Sequence, residues 1–493
     1  MARVRYGPGM SRRTLLISAC AAWAGVPTLA GCAGTLGVVT YPGAASGERM
    51  TETPPDASRS RNLQAFDPAP VDRELRALVS GPAAPWAQVS GVAVREGQVV
   101  YSGHFGRRFI HPRDRSQDLP VQERTLFRVA SISKLVVSVA VMRLVDQGKL
   151  DLDADVSEVL GWPLRHPQFP KERISLRLLM THRSGLSDAA GYAWGVDTAL
   201  RDVLVPGGRL FGTGAAWRQD RAPGHWFSYV NLNWGVIGTV MERATGERFD
   251  RLMSRLLLQP LGLRGGFQPA GTAADLAAQF PAEVADDIAT LYRKRRTQGE
   301  QEIWEPDGPW LPQVDERRPG TSRSSVGLAH YVPGTNGTLF SPQGGLRISA
   351  IDLATLMQML LNGGRHRGQE LVSAAALAEL SREQWRFDPA QPNGDTLGDS
   401  MLSWALGPQR FTDASGPGRG DRLVEGGGLT GWGHLGDAYG LLASFVLDPV
   451  RRNGMVTILG SPSRDPQLLQ GRWSSMARDE ERVMTAVWSA TWS

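Results

Sequence analysis

Strand-forming runs near both ends of the chain, separated by helix-forming segments, constrain the fold more than any other feature of the sequence. Apolar and polar residues alternate over residues 92–101 on either side of a turn at 95–97, which predicts a β-hairpin. A second hairpin is predicted where the apolar run 441–447 is followed by Asp448-Pro449 and the apolar run 455–459. Because an isolated hairpin is only marginally stable, we expect one antiparallel sheet formed by both chain ends.

The segments between the hairpins show mainly the 3.6-residue period of helices. Helices are predicted over residues 134–147, 234–245 and 351–361, and residues 476–488 have the spacing of an amphipathic helix. Together with the sheet, this pattern predicts an α/β (α+β) fold with flanking helices and a mostly helical subdomain. Residues 286–335 contain tryptophan, proline and arginine without a period, and we expect a long irregular insertion there.

The first residues of the chain resemble a bacterial export signal. Residues 11–16 (SRRTLL) resemble a twin-arginine motif, an apolar stretch covers 15–24, and residues 29–32 (LAGC) resemble the lipobox of lipoproteins. The resemblance implies that residues 1–31 are a twin-arginine-type lipoprotein signal peptide and that Cys32 is lipidated. We therefore expect an exported protein in the periplasm or cell envelope, which contacts the membrane through the lipid on Cys32.

Two other interpretations of this segment stay open: an ordinary signal peptide cut near residues 30–31, and an uncleaved anchor helix. Residues 32–75 are rich in glycine, proline, serine and charged side chains, which predicts a flexible tether without a core of its own. The globular domain is expected to span residues 76–493.

The formal charge of +5 does not indicate a nucleic-acid partner. Of the 54 basic residues, Arg3, Arg5, Arg12 and Arg13 lie in the predicted signal segment, which contains no acidic residue. The remaining chain has 50 basic and 49 acidic side chains. An electrostatic attraction to a polyanion is therefore not expected.

The segment from Ser131 to Lys134 places a hydroxyl and an ammonium one helical turn apart. Positions i and i+3 lie on the same face of a helix, so the two groups can touch. A serine hydroxyl becomes a nucleophile when a base removes its proton, and a lysine can be that base if burial lowers its pKa. The motif alone is also compatible with a capped helix that carries a surface lysine.

Two further segments supply groups that suit acyl transfer. Tyr229 and Asn231 lie just before the helix predicted from residue 234. A phenol can relay a proton, and an asparagine amide can hold a substrate carbonyl. His434 and Gly436 precede the second hairpin, where a small residue would let a strand edge approach bound substrate closely.

The order Ser-x-x-Lys, Tyr-x-Asn and His-x-Gly resembles the class C β-lactamase and penicillin-binding-protein superfamily of serine hydrolases. Residues 174–186 (ISLRLLMTHRSGL) resemble its LLTHTSGL segment, residues 223–231 (PGHWFSYVN) its PGxxFxYSN segment, and residues 344–353 (GGLRISAIDL) its GGL-S-A-DLA segment. The resemblance extends over about residues 80–460. It implies the β-lactamase/transpeptidase-like fold for the domain at 76–493.

The resemblance also implies a role for each matching residue. Ser131 would be acylated, with Lys134 as its partner in proton transfer, and Tyr229 would be the second acid/base group. Asn231 would bind the amide of the substrate. The backbone N–H groups of Ser131 and Asp437 would form the oxyanion hole. His434 and Gly436 would line the substrate-binding strand.

No metal or other cofactor is expected. The histidines at 104, 111 and 166 share no metal-ligand spacing with one another or with acidic residues. His182 lies within the LLTHTSGL-like segment, and we expect it to shape that loop.

One departure from the family bears on the substrate. Class C β-lactamases have Lys-Thr-Gly where this chain has His434-Leu435-Gly436, and an imidazole is only partly charged near neutral pH. We therefore expect a hydrolase of esters or amides of small molecules, or of D-amino-acid or peptidoglycan-related peptides, that cleaves small esters more readily than penicillins. A β-lactamase proper and a D,D-carboxypeptidase are the alternatives within the enzyme class. An inactive penicillin-binding or sensor module and a structural envelope protein are the alternatives outside it.

Overall fold

Strands and helices alternate along the chain. The structure is a computed structural model that describes residues 66–81, 83–267, 282–298, 301–316 and 328–492. The strands are β1 (Trp86–Arg95), β2 (Gln98–Phe109), β3 (Leu119–Pro120), β4 (Phe127–Arg128), β5 (Gly265–Gly266), β6 (Leu291–Arg293), β7 (Arg295–Gln298), β8 (Gln301–Trp304), β9 (Leu311–Val314), β10 (Arg347–Ile348), β11 (Arg365–His366), β12 (Gln369–Glu370), β13 (Trp385–Arg386), β14 (Ser403–Trp404), β15 (Gln409–Arg410), β16 (Trp432–Ala438), β17 (Leu441–Asp448) and β18 (Asn453–Pro462). The helices are α1 (Ala69–Val79), α2 (Ile132–Asp146), α3 (Val156–Leu160), α4 (Leu176–Met180), α5 (Arg201–Leu204), α6 (Leu232–Thr245), α7 (Phe249–Met253), α8 (Gln259–Leu261), α9 (Ala282–Ala285), α10 (Ala350–Leu361), α11 (Ala374–Ser381) and α12 (Arg478–Ser489).

A nine-stranded antiparallel sheet joins the two ends of the chain, as the hairpins predict. Its strand order is β13-β14-β15-β16-β17-β18-β1-β2-β3. The pairing of β1 with β18 therefore joins the N-terminal strands to the C-terminal strands in one sheet. In that contact Val92 pairs with Val456. The predicted turn between β1 and β2 has positive φ at both Glu96 (49°) and Gly97 (81°), the geometry that suits a tight hairpin. The predicted α/β (α+β) class is confirmed.

Helices cover both faces of this sheet, which explains why every residue of β1 is buried. On one face Val92 and Ile458 belong to the larger core, with residues of α2, α6 and α10. On the other face Val89 and Leu459 pack with residues of α1 and α12. The apolar residues of α2 therefore hold this helix against the sheet.

The globular domain begins earlier than the predicted boundary at residue 76. Helix α1 starts at Ala69, and its Val71, Leu75 and Leu78 are buried against the sheet. Their spacing of four and three residues is that of one helical face, and a proline in the first turn does not break a helix. The prediction of a tether is therefore wrong for residues 69–75. The predicted signal segment, Cys32 and the tether up to residue 65 lie outside the described residues.

The described part of the insertion at 286–335 contains four short strands, which corrects a second expectation. Strand β6 pairs with β9, and β7 pairs with β8. The N–H of Tyr292 in β6 donates to the Oγ of Ser461 at 2.8 Å, which attaches the insertion to β18. A Cβ on Gly440 would lie 2.8 Å from the carbonyl oxygen of Tyr292, so the insertion also contacts the turn that follows β16. The strands are too short for the alternation that identifies a strand in sequence.

None of the described helices has the length and apolar character needed to cross a bilayer.

Candidate active site

The candidate nucleophile lies at a sharp turn between β4 and α2. Ala130 has a φ of 48°, in the left-handed region that L-residues rarely adopt, and Ser131 is the N-cap of the helix. Helix α2 thus begins at Ile132, two residues before the predicted start. The Ser131 side chain makes no capping hydrogen bond. Its Oγ and its backbone N–H are therefore presented together at the positive end of the helix dipole.

The ammonium of Lys134 is buried among three oxygen acceptors. Its side chain is 0% exposed, and Nζ donates to the Oγ of Ser131 at 2.9 Å. It also donates to Oδ1 of Asn231 at 2.8 Å and to the main-chain carbonyl of Gln343 at 2.9 Å. Burial lowers the pKa of Lys134 to about 7, and the charge of Asp188 opposes this shift. A lysine with that pKa exchanges a proton near neutral pH, which suits a base.

The amide of Asn231 is held at both ends. Asn231 is 7% exposed and is the N-cap residue of α6. While Oδ1 accepts from Lys134, Nδ2 donates to Oδ2 of Asp188 at 3.0 Å. The Asp188 carboxylate also accepts the backbone N–H groups of Asn231 and Leu232, each at 2.9 Å. The sequence predicted Asn231 as a substrate-binding residue, and the structure places its amide in the contact between Lys134 and Asp188.

The ring of Tyr229 lies beside Lys134. The Lys134 Nζ is 4.9 Å from the centroid of the Tyr229 ring. A second neighbour of the ring is His182, whose imidazole stacks on it with a centroid distance of 4.5 Å and an angle of 27°. Nδ1 of His182 accepts the N–H of Val230 at 3.0 Å, which fixes the imidazole next to Tyr229. Burial, and secondly the charge of Lys134, hold the pKa of His182 well below its usual value, so this imidazole is neutral.

Strand β16 passes the N-terminus of α2. A Cβ on Gly436 would lie 2.6 Å from the carbonyl oxygen of Val129, a separation that real side chains do not reach. Glycine therefore allows the close approach of β16 to the turn that carries Ser131. The next residue is Asp437, whose N–H was predicted for the oxyanion hole, and it lies in the same strand.

His434 is in the same strand but is enclosed by aromatic rings. It is 1% exposed, and its Nδ1–H donates to the carbonyl of Leu435 at 2.6 Å. Its ring centroid lies 5.6 Å from that of Trp404 and 6.2 Å from that of Tyr229. The structure thus brings Ser131, Lys134, Tyr229 and Asn231 into one hydrogen-bonded and aromatic cluster, with His434 in the wall of that cluster.

Comparison with known proteins identifies the family. The profile of the beta-lactamase family matches residues 83–474 of this chain, which include every residue of the cluster. The chain belongs to the beta-lactamase family. Its sequence is similar to Esterase EstB of Burkholderia gladioli, with 34% identity over 187 residues that make up 35% of this chain and 45% of that protein. It is also similar to a beta-lactamase of Providencia stuartii, with 28% identity over 194 residues, which are 39% of this chain and 45% of that protein.

The fold of this beta-lactamase-family protein also occurs in solved structures. The D-amino acid amidase of Ochrobactrum anthropi SV3, complexed with D-phenylalanine, superposes with a TM-score of 0.56 at 18% identity. The superposition covers 86% of this chain and 98% of the amidase. For the two sequence relatives, the aligned segment spans less than half of their own length. These comparisons establish the family and the fold.

Proposed function

We propose that this chain is an acyl-enzyme hydrolase that uses Ser131 as its nucleophile and prefers small esters to β-lactams. The observation that carries the proposal is the 2.9 Å hydrogen bond between Lys134 Nζ and Ser131 Oγ in a site where burial lowers the pKa of the lysine to about 7. A surface lysine would keep its proton at neutral pH and could not take one from serine.

Acylation follows from this contact. Lys134, with Tyr229 beside it, takes the proton of Ser131 as Oγ attacks the carbonyl carbon of the ester. The backbone N–H groups of Ser131 and Asp437 stabilise the oxyanion, the leaving alcohol takes a proton from the same pair, and the ester C–O bond breaks. Water then attacks the acyl-Ser131 ester and gives up a proton to Lys134, directly or through the Tyr229 hydroxyl. The acid leaves, and Ser131 recovers its proton.

The preference for esters is supported by the groups around the nucleophile. Ester cleavage needs the nucleophile, the proton relay and the oxyanion donors. It does not need a cation of the enzyme that binds a substrate carboxylate, such as the one that β-lactams carry. His434, which takes the place of the lysine in Lys-Thr-Gly, is enclosed by Trp404 and Tyr229, with its Nδ1–H committed to the Leu435 carbonyl. The relative named Esterase EstB agrees with this choice, while the relative named beta-lactamase makes β-lactam hydrolysis the alternative to test.

The test compares nitrophenyl acetate with nitrocefin at pH 8. We expect kcat/KM to favour the ester by at least about 10–100-fold, since a missing charged hydrogen bond to the β-lactam carboxylate costs about 1.5–3 kcal/mol. Ser131→Ala is the control and should remove both activities. Faster turnover of nitrocefin than of the ester would reject the preference, and equal ester turnover by Ser131→Ala would reject the mechanism.

The proposed place of action is the cell envelope. The support comes from the SRRTLL and LAGC segments, which would export the chain and attach it to a membrane through Cys32.

A further inference from the structure

Asp188 connects three parts of the candidate site. It opens the short 3₁₀ turn Asp188–Ala190, in which the side chain of the preceding Ser187 accepts the N–H of Ala189. Its carboxylate accepts the two backbone N–H groups at the start of α6 and the side-chain Nδ2 of Asn231. The carboxylate thus caps the helix and holds the amide that contacts Lys134.

The chemistry of these groups fixes the orientation of the amide. A carboxylate can only accept hydrogen bonds, so it binds the NH₂ end of Asn231. A lysine ammonium can only donate, so it binds the carbonyl end, and the two contacts favour the same orientation of the amide. Without Asp188, the amide could rotate by 180° and present its NH₂ group to the ammonium.

Asp188 also faces the charge of Lys134. The other described groups around this ammonium are the Ser131 hydroxyl, the side-chain carbonyl of Asn231, the main-chain carbonyl of Gln343, the Tyr229 ring and, near that ring, the imidazoles of His182 and His434. Asp188 is the only carboxylate among them. Its charge favours the protonated lysine, while burial, the larger effect, favours the neutral one.

We propose that Asp188 is a positioning residue for acylation: through Asn231 it holds Lys134 against Ser131, and its charge faces the ammonium. The inference rests on the proposed function, because it assumes that Lys134 must lose its proton before Ser131 can react. Under that assumption, Asp188 sets the lower end of the pH range in which Ser131 is nucleophilic.

The substitution Asp188→Asn tests both parts of this role. Loss of the negative charge should let Lys134 lose its proton more easily, so the acid limb of the labelling rate should move to lower pH by about one unit. The plateau rate should fall about tenfold, since the new amide can present NH₂ to the NH₂ group of Asn231. The measurement is the second-order rate of fluorophosphonate labelling of the full chain between pH 5 and 9.

Asp421→Asn is the matched control. Asp421 is buried, and its carboxylate, like that of Asp188, accepts two backbone N–H groups, those of Thr412 at 2.7 Å and Ala414 at 2.9 Å. It makes no described contact with Lys134. This variant should lose thermal stability but keep the wild-type pH profile. A shift of the acid limb in Asp421→Asn equal to that in Asp188→Asn would overturn the proposal.

Asp188→Glu separates charge from geometry if Asp188→Asn folds poorly. The glutamate keeps the charge, so its acid limb should stay near that of the wild type, while its longer side chain displaces Asn231 and lowers the plateau. Provided that the wild-type enzyme is labelled, two results would refute the role of the charge. One is an acid limb of Asp188→Asn at the same pH as that of the wild type, and the other is an acid limb at the same pH in both Asp188 variants. A wild-type chain that is never labelled would instead reject the proposed function itself.

Discussion

Replacing Lys134 with arginine should slow fluorophosphonate labelling of Ser131 by about 10³-fold or more. The guanidinium keeps its proton at every pH at which the protein is folded, so it cannot act as the base. The site is also built for a compact ammonium, since three acceptors lie within 2.9 Å of Nζ and the side chain is fully buried. Lys134→Ala should fail to a similar degree. The wild-type rate should rise with pH through about 7, where Lys134 loses its proton.

Lys149→Arg is the control for this substitution. Lys149 follows the same helix but is exposed, so the exchange should leave the labelling rate within about twofold of the wild type. If Lys134→Arg retained most of the wild-type rate, positive charge alone would suffice, and the assignment of Lys134 as the base would be wrong.

Replacing Tyr229 with phenylalanine should lower kcat/KM for an alkyl ester by about 10²–10⁴-fold, the usual contribution of a positioned acid or base. Phenylalanine preserves the ring that stacks on His182 and lies beside Lys134, so the change removes only the hydroxyl. The loss should be smaller for acylation by a nitrophenyl ester, because nitrophenolate leaves without needing a proton. Stopped-flow measurement of acylation with the two ester types separates these effects.

Tyr439→Phe controls for the loss of a phenol near the site. Tyr439 follows β16, and its ring stacks with Arg128, whose guanidinium carbon lies 4.5 Å from the ring centroid. Phenylalanine keeps that contact, so both ester types should react at close to the wild-type rate. Equal, small losses in Tyr229→Phe for the two ester types would argue that the phenol transfers no proton to the leaving group.

The sheet could be predicted from the sequence because its long strands carry their own signals. The alternation at 92–101 and the two apolar runs before and after Asp448 correspond to β1, β2, β17 and β18. The reactive pair was also predictable, since Ser131 and Lys134 are separated by one helical turn and need only local structure to meet. Tyr229 and Asn231 required the family resemblance, because no local rule brings residues nearly a hundred positions away to a given helix.

Other features were missed for different physical reasons. The spacing of Val71, Leu75 and Leu78 is typical of one face of a helix and indicates α1, but the neighbouring prolines favour a flexible tether. The strands β6 to β9 have only three or four residues each and are stabilised by tertiary contacts, which leave no period in the sequence.

The role of Asp188 could not be predicted from spacing. Its carboxylate contacts the start of α6 only because the tertiary fold brings the 3₁₀ turn at Asp188 next to residues 231 and 232. The enclosure of His434 has the same origin. Its neighbours Trp404 and Tyr229 come from separate parts of the chain, so a motif that contains histidine does not tell how exposed the imidazole is.

The identity of the nucleophile can be measured directly by mass spectrometry of the chain after reaction with a fluorophosphonate. The account predicts one adduct per chain, located on Ser131, and none in Ser131→Ala. The neighbouring Ser133 is an internal comparison, because it is 0% exposed and its Oγ accepts the N–H of Leu346 at 3.1 Å. An adduct on Ser133 or on any other residue of the wild type, or undiminished labelling of Ser131→Ala, would contradict the central claim that Ser131 is the nucleophile of this site.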